Sequence, residues 1–145
     1  MQPLPAFHNE PYADFSQPGN RQAMEAALTQ VRASFGREYS LWIAGQAVRT
    51  EDWLRSVNPS LPDETVGLHA KATAAMAREA VADAAAFFPE WARTPVAERV
   101  AVVVKAAAIL RERKNEFNAW LVLESGKSWA EAEADTAEAI DFCVY

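Results

Sequence analysis

The residues of this chain whose types and spacing could do chemistry are the carboxylates of its last segment. Residues 129–145 contain five of them: Glu131, Glu133, Asp135, Glu138 and Asp141. All but Glu133 recur at spacings of four, three and three residues, so a helix would place these four on one broad face. A face of this kind is usually solvated. The alternative is that one or two of the acids, towards the apolar end near Asp141, are buried; spacing does not say which.

Sequence signals for phosphate binding are weak. None of the five glycines stands two residues from another, which excludes the dinucleotide-binding phosphate loop. Gly126-Lys127-Ser128 resembles the end of a P-loop, but the glycine that this motif needs five residues earlier is Leu121. The favoured interpretation of this segment is a helix end followed by a helix cap.

The single cysteine is not predicted to be a nucleophile. Cys143 has apolar neighbours and no nearby histidine that could activate its thiol, which predicts a buried, inert side chain. His8 and His69 are isolated, with no second ligand at metal-binding spacing, so no metal site is predicted.

The composition predicts a globular, cytoplasmic protein. Half of the residues are hydrophobic and 23% are charged. The net charge of −6 argues against binding to nucleic acid or to an anionic membrane surface. One cysteine excludes an internal disulfide and fits a reducing compartment. The N-terminus lacks the features of a signal peptide, and the most apolar run, residues 100–110, is too short to span a bilayer.

Local signals divide the first half of the chain into an arm, a helix and short strands. Residues 1–20 are rich in proline and are predicted to be an extended arm, whose aromatic residues suggest that it lies on a surface. A helix follows at 21–35, with Gly36 at its C′ position. Strands are predicted at 39–43 and 47–50, as a hairpin, and then at 53–57 and 65–70. Turns are predicted at 58–59 and 61–63.

The second half is predicted to be helical. Thr73 caps a helix that ends near residue 91, and Thr94-Pro95 begins another at 96–114. A third helix at 115–125 is closed by Gly126, and Ser128 with Glu131 forms a capping box for a last helix from Trp129. The predicted inner faces are Met76, Ala80, Ala84, Phe87 and Trp91 in the first, Val100, Val103, Ala107 and Leu110 in the second, and Ala134, Ala137 and Ile140 in the last. The expected fold class is helix-rich α/β with a small antiparallel hairpin sheet.

Several blocks of the sequence resemble one enzyme family. They are Asn9-Glu10-Pro11 with Asp14-Phe15, L-W-I-A-G-Q-A-V at 41–48, Ser56-Val57-Asn58-Pro59, Val66-Gly67, Ala70-Lys71-Ala72, Lys105-Ala106-Ala107 with Arg111 and Arg113, Glu124-Ser125-Gly126-Lys127, and A-D-T-A-E-A-I-D-F at 134–142. From about residue 7 onwards, the chain resembles the N-terminal part of the NAD-dependent aldehyde dehydrogenase superfamily. Within it, the string at 134–142 is most similar to the 1-pyrroline-5-carboxylate dehydrogenases, or L-glutamate γ-semialdehyde dehydrogenases, of proline breakdown.

The resemblance implies an enzyme that oxidises L-glutamate 5-semialdehyde to L-glutamate with NAD. A thiolate attacks the aldehyde, hydride passes to the nicotinamide, and water releases the acid. In the family, the nucleophilic cysteine, the catalytic glutamate and the nicotinamide-binding loop correspond to positions beyond Tyr145. The resemblance therefore assigns no catalytic and no cofactor-binding residue here, and Cys143 does not match the nucleophile. It implies one substrate-binding residue, Glu138, as the acid that approaches the amino group of the substrate.

The expected organisation is the arm at 1–20 followed, at 21–145, by the N-terminal segment of the aldehyde dehydrogenase NAD-binding domain without its Rossmann-like core. We expect this chain alone to be inactive, to bind no NAD, and to expose apolar surface on its last two helices. Three alternatives stay open: a non-catalytic interaction module, one half of a split enzyme that joins a complementary C-terminal fragment, and an α-rich domain without activity. A homo-oligomer is also possible, because the family tends to assemble.

Overall fold

The computed structural model describes residues 6–145, and in this range the chain forms five α-helices and five short β-strands. The elements are α1 Pro18–Arg32, β1 Arg37–Tyr39, β2 Leu41–Ile43, β3 Gln46–Val48, β4 Trp53–Asn58, β5 Leu61–Ala70, α2 Ala74–Arg93, α3 Val96–Glu112, α4 Lys114–Ser125 and α5 Trp129–Val144. They form two compact units, one of residues up to Ser34 with Val96–Tyr145, the other of Phe35–Pro95. The helix-rich character with small sheets agrees with the predicted fold class. No helix of the described range is both long and apolar enough to cross a membrane.

The strands of the second unit form two separate sheets. Strand β5 lies between β1, to which it is parallel, and β4, to which it is antiparallel, while β2 and β3 form their own hairpin. The predicted single strand at 39–43 is wrong, because β1 ends at Tyr39 and β2 begins a new sheet. Tyr39 stacks on the His69 ring at 5.1 Å, and a Cβ atom added at Gly67 would lie 2.9 Å from the Tyr39 ring. This close approach explains the glycine inside β5.

Turn chemistry accounts for both hairpins. Ala44 and Gly45 have φ angles of 49° and 75°, as a two-residue turn of the I′ type requires, so the predicted β2–β3 hairpin is confirmed. In the β4–β5 turn, the N–H of Ser60 donates to Oδ1 of Asn58 at 3.0 Å. Because this turn is complete by residue 60, Leu61 already pairs with Asn58. The predicted turn at 61–63 is therefore wrong, and β5 begins four residues earlier than expected.

Helix α2 starts where predicted but does not bury its predicted inner face. The side chain of Thr73 accepts from the N–H of Met76 at 3.2 Å, which confirms the cap. Of the predicted inner face, Met76 and Ala80 are half-buried, the other three positions are exposed, and no α2 residue is buried among the described residues. The amphipathic pattern specified which face of α2 is apolar; it did not specify a partner for that face.

The four helices of the first unit share a core. Helix α1 packs on α4, and α5 packs on both α3 and α4. The buried apolar residues are Met24 and Val31 of α1, Ala107 of α3, Ala119 and Leu123 of α4, and Ala132, Ala137 and Ile140 of α5. Of the stripe predicted for α3, Ala107 is buried, Val100 and Leu110 are half-buried, and only Val103 is exposed.

The observed helix boundaries agree with the predicted ones wherever the predicted cap residue caps the helix. The α5 capping box of Ser128 with Glu131 and the left-handed Gly126 (φ 70°) after α4 are both confirmed. Helix α1 instead begins at Pro18 and ends at Arg32, so the arm is three residues shorter than predicted and Gly36 is not at the C′ position. Gly36 donates its N–H to the Thr65 carbonyl and leads into β1. Thr94 is the C-cap residue of α2, and Pro95 precedes the first residue of α3.

Candidate functional site

The carboxylates of α5 differ in what holds them. Glu131 stays at the exposed start of the helix, where the N–H of Ser128 donates to its Oε2 at 2.9 Å. This bond and a second from the Ser128 hydroxyl lower the pKa of the Glu131 carboxyl. Asp135 forms an ion pair with Lys127. Both acids are engaged within the loop and first turns of their own helix, so neither links α5 to a distant segment within residues 6–145.

Glu133 is the buried acid of α5, and it is the one acid that does not belong to the predicted face of four acids. Its side chain is 3% exposed and accepts from Nζ of Lys114 at 2.6 Å, from the N–H of Ala13 at 2.7 Å and from Nδ2 of Asn118 at 2.6 Å. Burial raises the pKa of the Glu133 carboxyl, but the bonds from Lys114, Ala13 and Asn118 outweigh it, and the pKa lies below its usual value. Glu133 is therefore a charged anchor inside the first unit.

Asp141 is also anchored and is half-buried, in line with the alternative that an acid near the apolar end of the helix is drawn inwards. Its Oδ2 accepts from Nδ2 of Asn9 at 2.8 Å, and its Oδ1 accepts from the N–H of Glu10 at 2.7 Å. The Glu10 carboxylate in turn accepts from Nε of Arg111 at 2.8 Å. Asp141 thus attaches the N-terminal arm to the end of α5.

Residues 7–15 of the arm run antiparallel along α5. Four of the five residues of a helix stripe, at every fourth position from 129 to 145, contact this segment: Trp129, Glu133, Asp141 and Tyr145. Their arm partners are, in the same order, Phe15, Ala13, Glu10 with Asn9, and Phe7. Both ring pairs pack edge to face, with centroids 5.4 Å and 5.3 Å apart. The predicted surface contact of the arm is confirmed for these residues. The sequence contains this spacing of four. Because the stripe includes the polar residues Glu133 and Asp141, the apolar pattern did not identify it as a contact face.

A cavity of about 440 Å³ lies between this arm and α5. Its polar lining consists of Asn9, Asp135, Glu138 and Asp141, and the remaining lining residues are Phe7, Tyr12, Ala134, Phe142 and Tyr145. Glu138 is exposed, and no other described residue forms a hydrogen bond or ion pair with its side chain. It is therefore the cavity carboxylate that is left to bind a ligand. A free carboxylate beside aromatic rings suits a cation that carries N–H donors.

The remaining sequence candidates do not join this site. Cys143 is half-buried rather than buried, and its thiol makes no side-chain hydrogen bond among residues 6–145. Within the same range, no three His, Cys, Asp or Glu side chains are close enough together to hold a metal ion. Of the residues singled out for chemistry, the cavity therefore brings together Asp135, Glu138 and Asp141.

Sequence comparison identifies the family. The model of the aldehyde dehydrogenase family matches residues 42–145. A 1-pyrroline-5-carboxylate dehydrogenase of Geobacillus thermodenitrificans is 50% identical over 139 residues, which are 96% of this chain and 27% of that protein. The 1-pyrroline-5-carboxylate dehydrogenase 1 of Halalkalibacterium halodurans is 48% identical over 142 residues, 98% of this chain and 28% of that protein. The chain thus spans about a quarter of the length of these curated relatives.

Solved structures agree with this result. A mutant 1-pyrroline-5-carboxylate dehydrogenase of Thermus thermophilus superposes with a TM-score of 0.95 at 48% identity, over the whole of this chain and 28% of that one. A Thermus 1-pyrroline-5-carboxylate dehydrogenase with bound NAD gives 0.95 at 47% identity, with the same coverage. An enzyme of Mycobacterium tuberculosis with NAD and cobalamin gives 0.88 at 28% identity, over 99% of this chain and 28% of that one. On its sequence match and its fold, the chain belongs to the aldehyde dehydrogenase family.

Proposed function

We propose that this chain is the N-terminal part of an NAD-dependent dehydrogenase that oxidises L-glutamate 5-semialdehyde to L-glutamate in proline degradation. Identity of 48–50% to two 1-pyrroline-5-carboxylate dehydrogenases, across nearly the whole chain, supports the substrate class. The family match alone supports only aldehyde oxidation. The finer assignment therefore depends on a residue that distinguishes this aldehyde from others.

Glu138 is that residue in this proposal, and the cavity is the observation that carries it. L-glutamate 5-semialdehyde differs from a simple aldehyde acid by its ammonium group, a cation with N–H donors. Asp135 and Asp141, the other cavity acids, already bind Lys127 and the arm, whereas Glu138 has no such partner among the described residues. A charge-assisted hydrogen bond from the ammonium to Glu138 would contribute about 1.5–3 kcal/mol to binding.

NAD is the proposed cofactor because similar solved structures contain it. Residues 126–128 do not form a phosphate loop for it. Gly126 adopts the left-handed conformation that ends α4, and the hydroxyl of Ser128 accepts from the N–H of Glu131 to cap α5. Lys127, between them, forms an ion pair with Asp135. We therefore assign no NAD-binding residue and derive no step through the cofactor from this chain.

The test is a chimera in which this chain replaces the matching segment of the Thermus enzyme. We expect the chimera to form NADH from 1-pyrroline-5-carboxylate. We expect none from this chain alone, whose Cys143 thiol has no hydrogen-bond partner among residues 6–145. The Thermus remainder without the segment is the control. Turnover by the isolated chain would overturn the proposed inactivity. A folded chimera that oxidises unrelated aldehydes but not this one would overturn the substrate.

A second candidate, one half of a split enzyme, is favoured by exposed apolar side chains. Val102 and Val103 of α3 and Phe142 of α5 are exposed, as a surface that awaits a partner would be. Such a surface is predicted for the last two helices; α5 has the exposed Phe142, and α4 has no exposed large hydrophobic residue. We expect the chain and the Thermus remainder, mixed as separate polypeptides, to recover NADH formation if this candidate is correct. No recovery, when the covalent chimera is active, would contradict it.

A further inference from the structure

The arm has no regular secondary structure of its own to hold it over the cavity. Residues 6–14 belong to no helix or strand, so they lack the repeating backbone bonds of a helix or sheet. Yet three of the cavity-lining residues, Phe7, Asn9 and Tyr12, come from this segment. The shape of the cavity therefore depends on the side chains that attach the arm to the helices.

Glu133 is the deepest of these attachments. Its three donors come from the arm and from α4, whereas Asp141, the other α5 carboxylate that binds the arm, accepts from arm residues and is half-buried. Lys114 adds to the same junction, because its Nζ donates to the Pro11 carbonyl at 2.8 Å as well as to Glu133. Removal of the Glu133 carboxylate would leave the Ala13 N–H unpaired and would remove the buried anion that pairs with Lys114, whose Nζ would keep only the Pro11 carbonyl and the Glu10 carboxylate 4.0 Å away.

We propose that Glu133 is a positioning residue for the substrate-ammonium site: it holds the arm as the wall of the cavity that faces Glu138. This inference rests on the proposed function of Glu138. Glu133 does not line the cavity, so it acts on the ligand only through the arm. The arm is accordingly a specificity element, and residues 7–12 contribute to the choice of an aldehyde with an amino group.

The neighbouring Asn118 makes Glu133→Gln a conservative variant. Its Oδ1 is buried and has no hydrogen-bond partner among the described residues, while its Nδ2 donates to Glu133. In Glu133→Gln, a flip of the Asn118 amide would let this Oδ1 accept from the new NH₂ group. The variant keeps the shape and most hydrogen bonds of the junction and removes its charge. It should therefore impair the arm less than Glu133→Ala does.

The experiment compares two aldehydes in the active chimera. One is L-glutamate 5-semialdehyde, and the other is 5-oxopentanoate, the same chain without the amino group. We expect Glu138→Gln to lower the preference for the aminated substrate by about tenfold or more. We expect Glu133→Ala to lower it about threefold to tenfold through KM, with kcat little changed, and Glu133→Gln to lower it less. Glu131→Gln, on the same helix but away from the arm, is the matched control and should keep the preference.

Hydrogen exchange of this chain supplies the second readout. In Glu133→Ala the amides of Glu10 and Ala13 should exchange faster, and in Glu131→Gln they should not. Faster exchange with an unchanged substrate preference, while Glu138→Gln loses it, would overturn the positioning role and leave Glu138 in place. An unchanged preference in Glu138→Gln would overturn both. If Glu133→Ala does not fold, Glu133→Gln is the deciding variant. The inference fails if the arm amides of Glu133→Gln exchange faster while its preference for the aminated substrate equals that of the unsubstituted chimera.

Discussion

Helices α5 and α2 are both alanine-rich and start at a confirmed N-cap, but they differ in burial. Helix α5 buries five of its 16 residues, including Glu133 and Thr136, whereas α2 buries none of its 20. The sequence pattern does not predict this order, because α2 carries the larger apolar side chains, among them Phe87, Phe88 and Trp91. The difference shows that an apolar stripe indicates which face of a helix can be buried, whereas actual burial depends on the elements packed against that face.

Ile140 offers the largest test of this comparison. It is fully buried in α5, so Ile140→Ala removes well-packed methyl groups and should lower the free energy of unfolding by about 3–4 kcal/mol. Val81 of α2 is 70% exposed, and Val81→Ala should change it by less than about 0.5 kcal/mol. Urea unfolding of the two variants beside the unsubstituted chain measures both values. Equal losses would mean that α2 is covered in solution and would break the comparison.

Glu133 tests the polar part of the difference. Glu133→Ala should cost about 2–3 kcal/mol, which is below the usual range for a buried pair because the Lys114 side chain is 15% exposed and can reach water. The matched variant on α2 is Glu79→Ala, an exposed position for which we expect a change within about 0.5 kcal/mol. The same unfolding assay applies. A Glu133 effect as small as that of Glu79 would mean that the arm junction does not stabilise the fold.

The caps should contribute alike in both helices, which sharpens the comparison by separating local from tertiary effects. Ser128→Ala and Thr73→Ala each remove an acceptor for an N-terminal amide, at about 1 kcal/mol. In α5 the loss should appear in global unfolding. In α2, where no residue is buried, it should appear as faster exchange of the first-turn amides alone. Global destabilisation by Thr73→Ala would show that α2 unfolds together with the rest of the chain.

The smallest expected effect is a pH dependence at Glu133. Its pKa is lowered in the folded chain from the usual 4.5, so the unfolded state takes up the proton first on acidification. The charged carboxylate therefore stabilises the fold above the usual pKa, and this contribution is lost as the pH falls through the lowered value. The stability difference between the unsubstituted chain and Glu133→Gln should shrink below pH 4.5. A difference that is constant with pH would exclude a charge effect.

Much of the fold could be predicted because its signals are local. The capping box at Ser128, the cap at Thr73, the left-handed Gly126 and the Ala44-Gly45 turn each act on backbone groups a few residues away. The errors arose where a local signal competed with a distant one. Gly36 matched a helix end, but its N–H pairs with the Thr65 carbonyl of β5, and that pairing belongs to the sheet.

The candidate site could be predicted only in part. The resemblance led to Glu138, and the structure adds that Glu138 lines a cavity in which Asp135 and Asp141 are already engaged. Glu133 was missed, since the spacing that grouped the other four acids put it on a different face. The recurrence of Trp129, Glu133, Ala137, Asp141 and Tyr145 at every fourth position was the signal that could have found it.

By itself, the sequence determined where α2, α3 and α5 begin, which faces are apolar and which family the chain resembles, because these follow from neighbouring residues and from matched motifs. Tertiary structure alone decided which acids are buried, anchored or free. Glu133 and Asp141 meet donors that lie 120 and 131 residues away, at Ala13 and Glu10. A carboxylate can stay charged inside a fold only where such donors replace water, and no helical period specifies their arrival.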